Sequence, residues 1–231
     1  MRKVAVYVEG MTELVFVYHT IFAHFQSDWT AFYLDFLSTS PSDRIELAHP
    51  YGDENAENYF LIYNCGADES VIPTMIERYP SHIQQGFNAV IGLRDIHGFR
   101  YFEIYKAGHE KIEWPKVSEM MHDLEATVAS ADPSGTMAIR FSIMEIEAWL
   151  LAMPDLLAEV YPGFPYKRIA SIDPEVSFVH PFKELSDMTP YEKHFNIVES
   201  AFSHITSAHL ETLLKSGKCA SFAHFYKCLF N

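Results

Sequence analysis

The 231-residue sequence is 48% hydrophobic and 15% aromatic, enough apolar material to close a core and too much for a disordered segment. Its formal net charge of −14 argues against a broad basic surface that holds nucleic acid by neutralising phosphates, and the three cysteines, Cys65, Cys219 and Cys228, show neither disulfide nor structural-zinc spacing. The apolar run after Met1-Arg2-Lys3 ends at Glu9 and no later stretch approaches the roughly 20 apolar residues of a membrane span, so a soluble, cytoplasmic protein with no membrane partner is expected.

In chain order, residues 3–8 form a valine-rich apolar run of the kind found in a strand buried on both faces of a parallel sheet. Glu9-Gly10 ends it. Thr12 then stands where it can cap a helix over residues 13–25, whose Leu14, Val17, Tyr18, Ile21, Phe22 and Phe25 recur at helical spacing. Strands are expected at 31–37 and 59–63, and a helix at 69–85 with Pro73 and Pro80 near its ends or bending it. A further apolar strand at 87–93 leads into Arg94-Asp95-Ile96-His97-Gly98. A helix at 115–129, a turn at Asp132-Pro133-Ser134-Gly135, a strand at 137–141 and a helix at 143–152, stopped by Pro154, complete an α/β alternation. Residues 161–190 show no periodicity and are expected to be irregular, followed by helices at 191–202, 208–215 and 221–230. The expected architecture is an open, mostly parallel α/β sheet flanked by helices, over residues 1–155. Residues 156–231 add an irregular segment and a C-terminal helical extension packed on it.

Ligands of open α/β sheets gather beyond the carboxyl ends of the strands. Acids stand there: Glu9 after the first strand, Asp95 after the strand at 87–93, and Glu145 and Glu147 after the strand ending at Phe141. Converging carboxylates repel unless a proton or a cation relieves them, and Mg²⁺, a hard cation, takes oxygen ligands of this type.

The segment Val8-Glu9-Gly10-Met11-Thr12-Glu13 resembles the V-E-G-x-T-E signature that opens the TOPRIM domain of the overcoming-lysogenization-defect (OLD) nucleases. Glu145-Ile146-Glu147-Ala148-Trp149-Leu150-Leu151 is similar to their E-x-E-A-W-L-L segment, and Ser221-Phe222-Ala223-His224-Phe225 to an S-F-x-x-F feature near their C-termini. The resemblance implies a TOPRIM-like fold and a Mg²⁺- or Mn²⁺-dependent hydrolysis of phosphodiesters in prokaryotic phage defence. It also implies a site in which Glu9, Glu13, Asp95 and Glu147 are catalytic and hold metal, with His97 and Glu145 as further metal ligands. His97 stands where the family's D-x-D element has its second acid, which leaves one or two metals open. No P-loop GxxxxGK[ST] occurs, so an ATPase of the full-length family type would be a separate partner chain, and DNA or another nucleic acid would be reached through the metal.

Each acid also has a plainer role to weigh. Glu9 can be a solvated acid after a strand, Glu13 can favour a helix N-terminus, and Asp95 can cap a turn. Ser142-Ile143-Met144-Glu145 has the spacing of a capping box, and Glu147 would lie about 200° around that helix from Glu145. Trp149, Leu150 and Leu151 are expected to be core. The functional alternative is a non-catalytic TOPRIM-like module that recognises a partner protein or nucleotide, which the charge and His97 favour. The oligomeric state is left open.

Overall fold

The computed structural model describes residues 1–38, 47–96, 111–189 and 201–231. Six strands form one sheet: β1 (Arg2–Val8), β2 (Phe32–Ser38), β3 (Tyr51–Gly52), β4 (Asn58–Asn64), β5 (Ala89–Asp95) and β6 (Met137–Ser142), in the order β3-β2-β4-β1-β5-β6. Every neighbouring pair is parallel except β2 with the two-residue edge strand β3. From Val4 to Val8 β1 is apolar and buried because both of its faces are covered there. Val4, Val6 and Val8 point into one core while Ala5 and Tyr7 point into the other, as the period of two requires.

Helix α1 (Met11–His24) and the C-terminal helices cover the first face; α2 (Asp68–Gln84) and α3 (Trp114–Ala131) cover the second. The expected Thr12 cap is not used. α1 starts two residues earlier, with Gly10 as its N-cap and no side-chain cap. α2, expected at 69–85, is unbroken and contains both Pro73 and Pro80, so of the two expected placements, near the ends or inside as a bend, the prolines take the interior. Its buried Val71, Ile72 and Met75 seat it on β5, where a Cβ on Gly92 would stand 2.6 Å from Ile139 Cδ1 and 3.2 Å from Val71. Tertiary packing holds the helix across the missing amides.

After β6 the chain forms α4 (Glu147–Leu151), α5 (Pro154–Val160), α6 (Tyr166–Ile169), α7 (Pro174–Ser177), α8 (Pro181–Met188), α9 (Ser207–Ser216) and α10 (Ala220–Phe230). The stretch expected to be irregular therefore holds three short helices. Their signal was the prolines: Pro174 and Pro181 sit at the first helical position, where a missing N–H costs nothing. α9 carries a full capping box between Thr206 and His209 and ends on Gly217 in the left-handed region, φ 71°. Most of the helix expected at 191–202 lies outside the described residues. α10 runs antiparallel to β1, its end held by Arg2 Nη1 donating to the Leu229 carbonyl at 2.8 Å. No helix among the described residues is long and apolar enough to cross a membrane.

Candidate metal centre

In this sheet β1, β2 and β4 lie to one side and β5 and β6 to the other, so the winding reverses between β1 and β5. Loops leaving two such strands part in opposite directions and open a crevice at their carboxyl ends. Glu9 follows β1 directly, Glu13 lies in the first turn of α1, and Asp95 ends β5. These three carboxylates converge there, each offering an oxygen within 4.8 Å of the others.

The backbone builds this geometry. A Glu9 carboxylate oxygen accepts the Asp95 amide at 3.1 Å, which ties the β1 turn to the β5 end. Ser142, at the end of β6, donates its hydroxyl in a short hydrogen bond to Asp95 Oδ1. Glu13 Oε2 lies against Gly10, where a Cβ would stand 3.2 Å from it; the glycine leaves the carboxylate room to turn back toward the crevice. Asp95 is pushed well above the usual carboxylate range, first by burial and then by the negative charges of Glu9, Glu13 and Glu147. Glu147 is thus within electrostatic reach while standing outside the three-residue cluster. It is fully buried at the first position of α4.

The other candidates sit differently. The Ser142–Glu145 capping box does not form: Ser142 serves Asp95, the helix begins only at Glu147, and its N-cap Ile146 makes no side-chain cap. The about 200° separation of Glu145 and Glu147 assumed a helix from 143 and disappears with it. Glu145 instead accepts the Phe182 amide at 2.8 Å, at the start of α8. His97 lies outside the described residues. Trp149, Leu150 and Leu151 are core, as expected; Trp149 donates its Nε1–H to Ser221 Oγ at 2.8 Å and packs on Phe222 and Phe225. The E-x-E-A-W-L-L and S-F-x-x-F segments therefore meet in space.

A second group, Asp173, Glu175 and Cys219, escaped the sequence reading. It joins backbone rather than offering free ligands. Asp173 Oδ1 accepts the amides of Glu175 and Cys219, and Glu175 accepts the Ser221 amide. Burial and the two carboxylates push the Cys219 thiol far up, so it stays protonated and is a poor metal ligand.

No family model, characterised relative or solved structure matches this chain. Three carboxylates gathered at one point, one of them driven toward its protonated form by burial and by the others, make a donor set that suits a hard divalent cation.

Proposed function

We propose that this chain is a Mg²⁺- or Mn²⁺-dependent phosphodiesterase, a nuclease or nuclease subunit of the TOPRIM type in prokaryotic phage defence. The observation that carries the reading is the convergence of Glu9, Glu13 and Asp95 at the winding reversal of a mostly parallel sheet. Glu9, Glu13 and Asp95 would hold the cation, with Glu147 behind Asp95. A bound divalent cation supplies neutralisation of phosphoryl oxygens and a water acidic enough to attack phosphorus. The chain contributes position: the Asp95 amide orients Glu9, Ser142 orients Asp95, and Gly10 gives Glu13 its space. ATP hydrolysis, where the system uses it, would come from a separate chain.

A second reading, a non-catalytic recognition module, is favoured by the presence of only three clustered ligand residues there among those described and by the charge of −14. Ion stoichiometry separates the two. Calorimetric titration with Mn²⁺ showing two ions per chain, with Mg²⁺-dependent cleavage of DNA or RNA, is expected for the nuclease; none or one ion and no cleavage with any nucleic acid supports recognition.

The central test is Glu9→Gln, which keeps shape and removes charge. It is expected to abolish the Mg²⁺-induced rise in melting temperature without lowering the melting temperature in EDTA. A variant that melts lower in EDTA yet keeps its whole Mg²⁺ response makes Glu9 structural and defeats the reading.

A further inference from the structure

Along the outer edge of β6, between α3 and α10, runs a groove of about 600 Å³. Ser221, His224 and Lys227 line it from one face of α10, at spacings of three residues that place them in a row. Arg140 of β6 lies beside them, and Met121 and Phe141 give the lining an apolar part. In a chain of net charge −14 this row is a local reversal of sign. Neither Lys227 nor Arg140 has a carboxylate partner among the described residues. Arg140 engages two of its five N–H donors, giving Nε–H to Cys228 Sγ at 3.1 Å and an Nη1–H to the Ile139 carbonyl at 2.7 Å. These contacts fix the guanidinium and leave donors for a ligand. Glu125 on α3 is the acid among the lining residues.

The groove also adjoins the acidic crevice. Phe141 lines it, and the next residue, Ser142, donates to Asp95. Arg140 and Ser142 alternate with Phe141 and so share a face of β6, about 7 Å apart along the strand. α10 starts beside Trp149 of α4, whose first residue is Glu147, and descends toward the start of β1. Two cations, Arg140 and Lys227, with the polar Ser221 and His224 beside them, therefore line a track that leads away from the carboxylate cluster.

We propose that this groove is a phosphate-backbone subsite, in which Arg140, Lys227 and His224 hold a nucleic-acid strand whose scissile phosphate lies at the acidic crevice. The inference rests on the nuclease reading for that last placement, while the groove's affinity for phosphates depends on its own residues. It resolves the conflict between an acidic protein and a polyanionic substrate: attraction is confined to one track, and repulsion elsewhere keeps the strand on it.

The experiment measures anisotropy of fluorescein-labelled single-stranded DNA of random sequence, in Ca²⁺ and separately in EDTA, over a range of salt. Arg140→Gln/Lys227→Gln is expected to bind at least about tenfold more weakly, and its salt slope to fall by about 1.4, at about 0.7 for each cation removed. Its Mg²⁺-induced rise in melting temperature is expected to match that of the unchanged chain. Lys227→Glu, on an exposed helix face, gives the same direction of change should the Arg140 substitution disturb folding. Unchanged affinity and salt slope in Lys227→Glu overturn the proposal, and so does a polyglutamate probe bound as tightly through the same residues, which would assign the groove to an acidic protein partner. Failure of the metal reading looks different: Mg²⁺ leaves every melting temperature unmoved, while DNA binding in EDTA still weakens in Lys227→Glu.

Discussion

In the acidic crevice Asp95 is buried and faces Glu9, Glu13 and Glu147 together. A carboxyl raised in this way takes up a proton more readily than a free one, and a divalent cation competes with that proton. Binding of Mg²⁺ is therefore expected to release protons, more of them as the pH is lowered. Calorimetry in buffers of different ionisation enthalpy checks this: a binding heat independent of buffer would show Asp95 already ionised. Gly10 makes a second residue-scale case. Its φ of −153° is ordinary extended backbone, so alanine is acceptable to the main chain and the conflict is with Glu13 alone. Gly10→Ala is expected to weaken Mg²⁺ binding several-fold, for a displacement cost of about 1 kcal/mol, with the metal-free melting temperature unchanged. Glu9 and Asp95 were legible in the sequence because each comes just after an apolar run, and Glu13 through the V-E-G-x-T-E resemblance. Ser142 was not, since its spacing to Glu145 suggested a cap, and the same spacing misplaced the start of the helix that carries Glu147.

At the level of elements, apolar runs announced β1, β4, β5 and β6, because strands covered on both faces need hydrophobic residues at successive positions. β3 left no such mark: it consists of two residues, paired among the described residues as Tyr33 with Gly52 and Leu34 with Tyr51. α2 stands where a helix was expected, with Pro73 and Pro80 inside it and its packing making good the missing amides. That packing depends on Gly92, which lets α2 approach β5. Gly92→Ala is expected to destabilise the fold by about 1–3 kcal/mol through overpacking, measured as a lower midpoint in urea with an unchanged slope. The α4–α10 contact is also testable. Ser221→Ala strips the buried Trp149 indole of its acceptor, and a loss of about 1–3 kcal/mol is expected for the unsatisfied donor. A midpoint equal to that of the unchanged chain would mean that water replaces the hydroxyl. Arg140 and Lys227 gave no joint signal in the sequence, since only the seating of α10 beside β6 makes them neighbours.

For the whole molecule, buried acids set the response to pH. Glu175 is raised to about 7 by burial, against which the Ser221 hydrogen bonds act. An unfolded glutamate titrates near about 4.3. Between these values the folded chain binds more protons than the unfolded one, so stability falls as pH rises through that window, by at most about 4 kcal/mol for this group. Asp95 acts in the same sense. The metal-free protein is expected to melt higher at pH 5 than at pH 8, and Glu175→Gln to flatten part of that slope; an unchanged slope would remove Glu175 from the account. The bond between Arg2 and Leu229, 227 residues apart, bears on how such a molecule is made. Val4, Val6 and Val8 belong to one core with Phe222, Phe225 and Leu229, yet a ribosome delivers β1 long before residues 220–230. Non-local closure of this kind is slow, and a nascent chain stopped at residue 219 would lack the cover over Trp149 and the helix it belongs to. The residues that gather Glu9, Glu13 and Asp95 all lie before residue 143, so what a half-made chain lacks is the cover that seats Trp149 and, with it, the helix that carries Glu147.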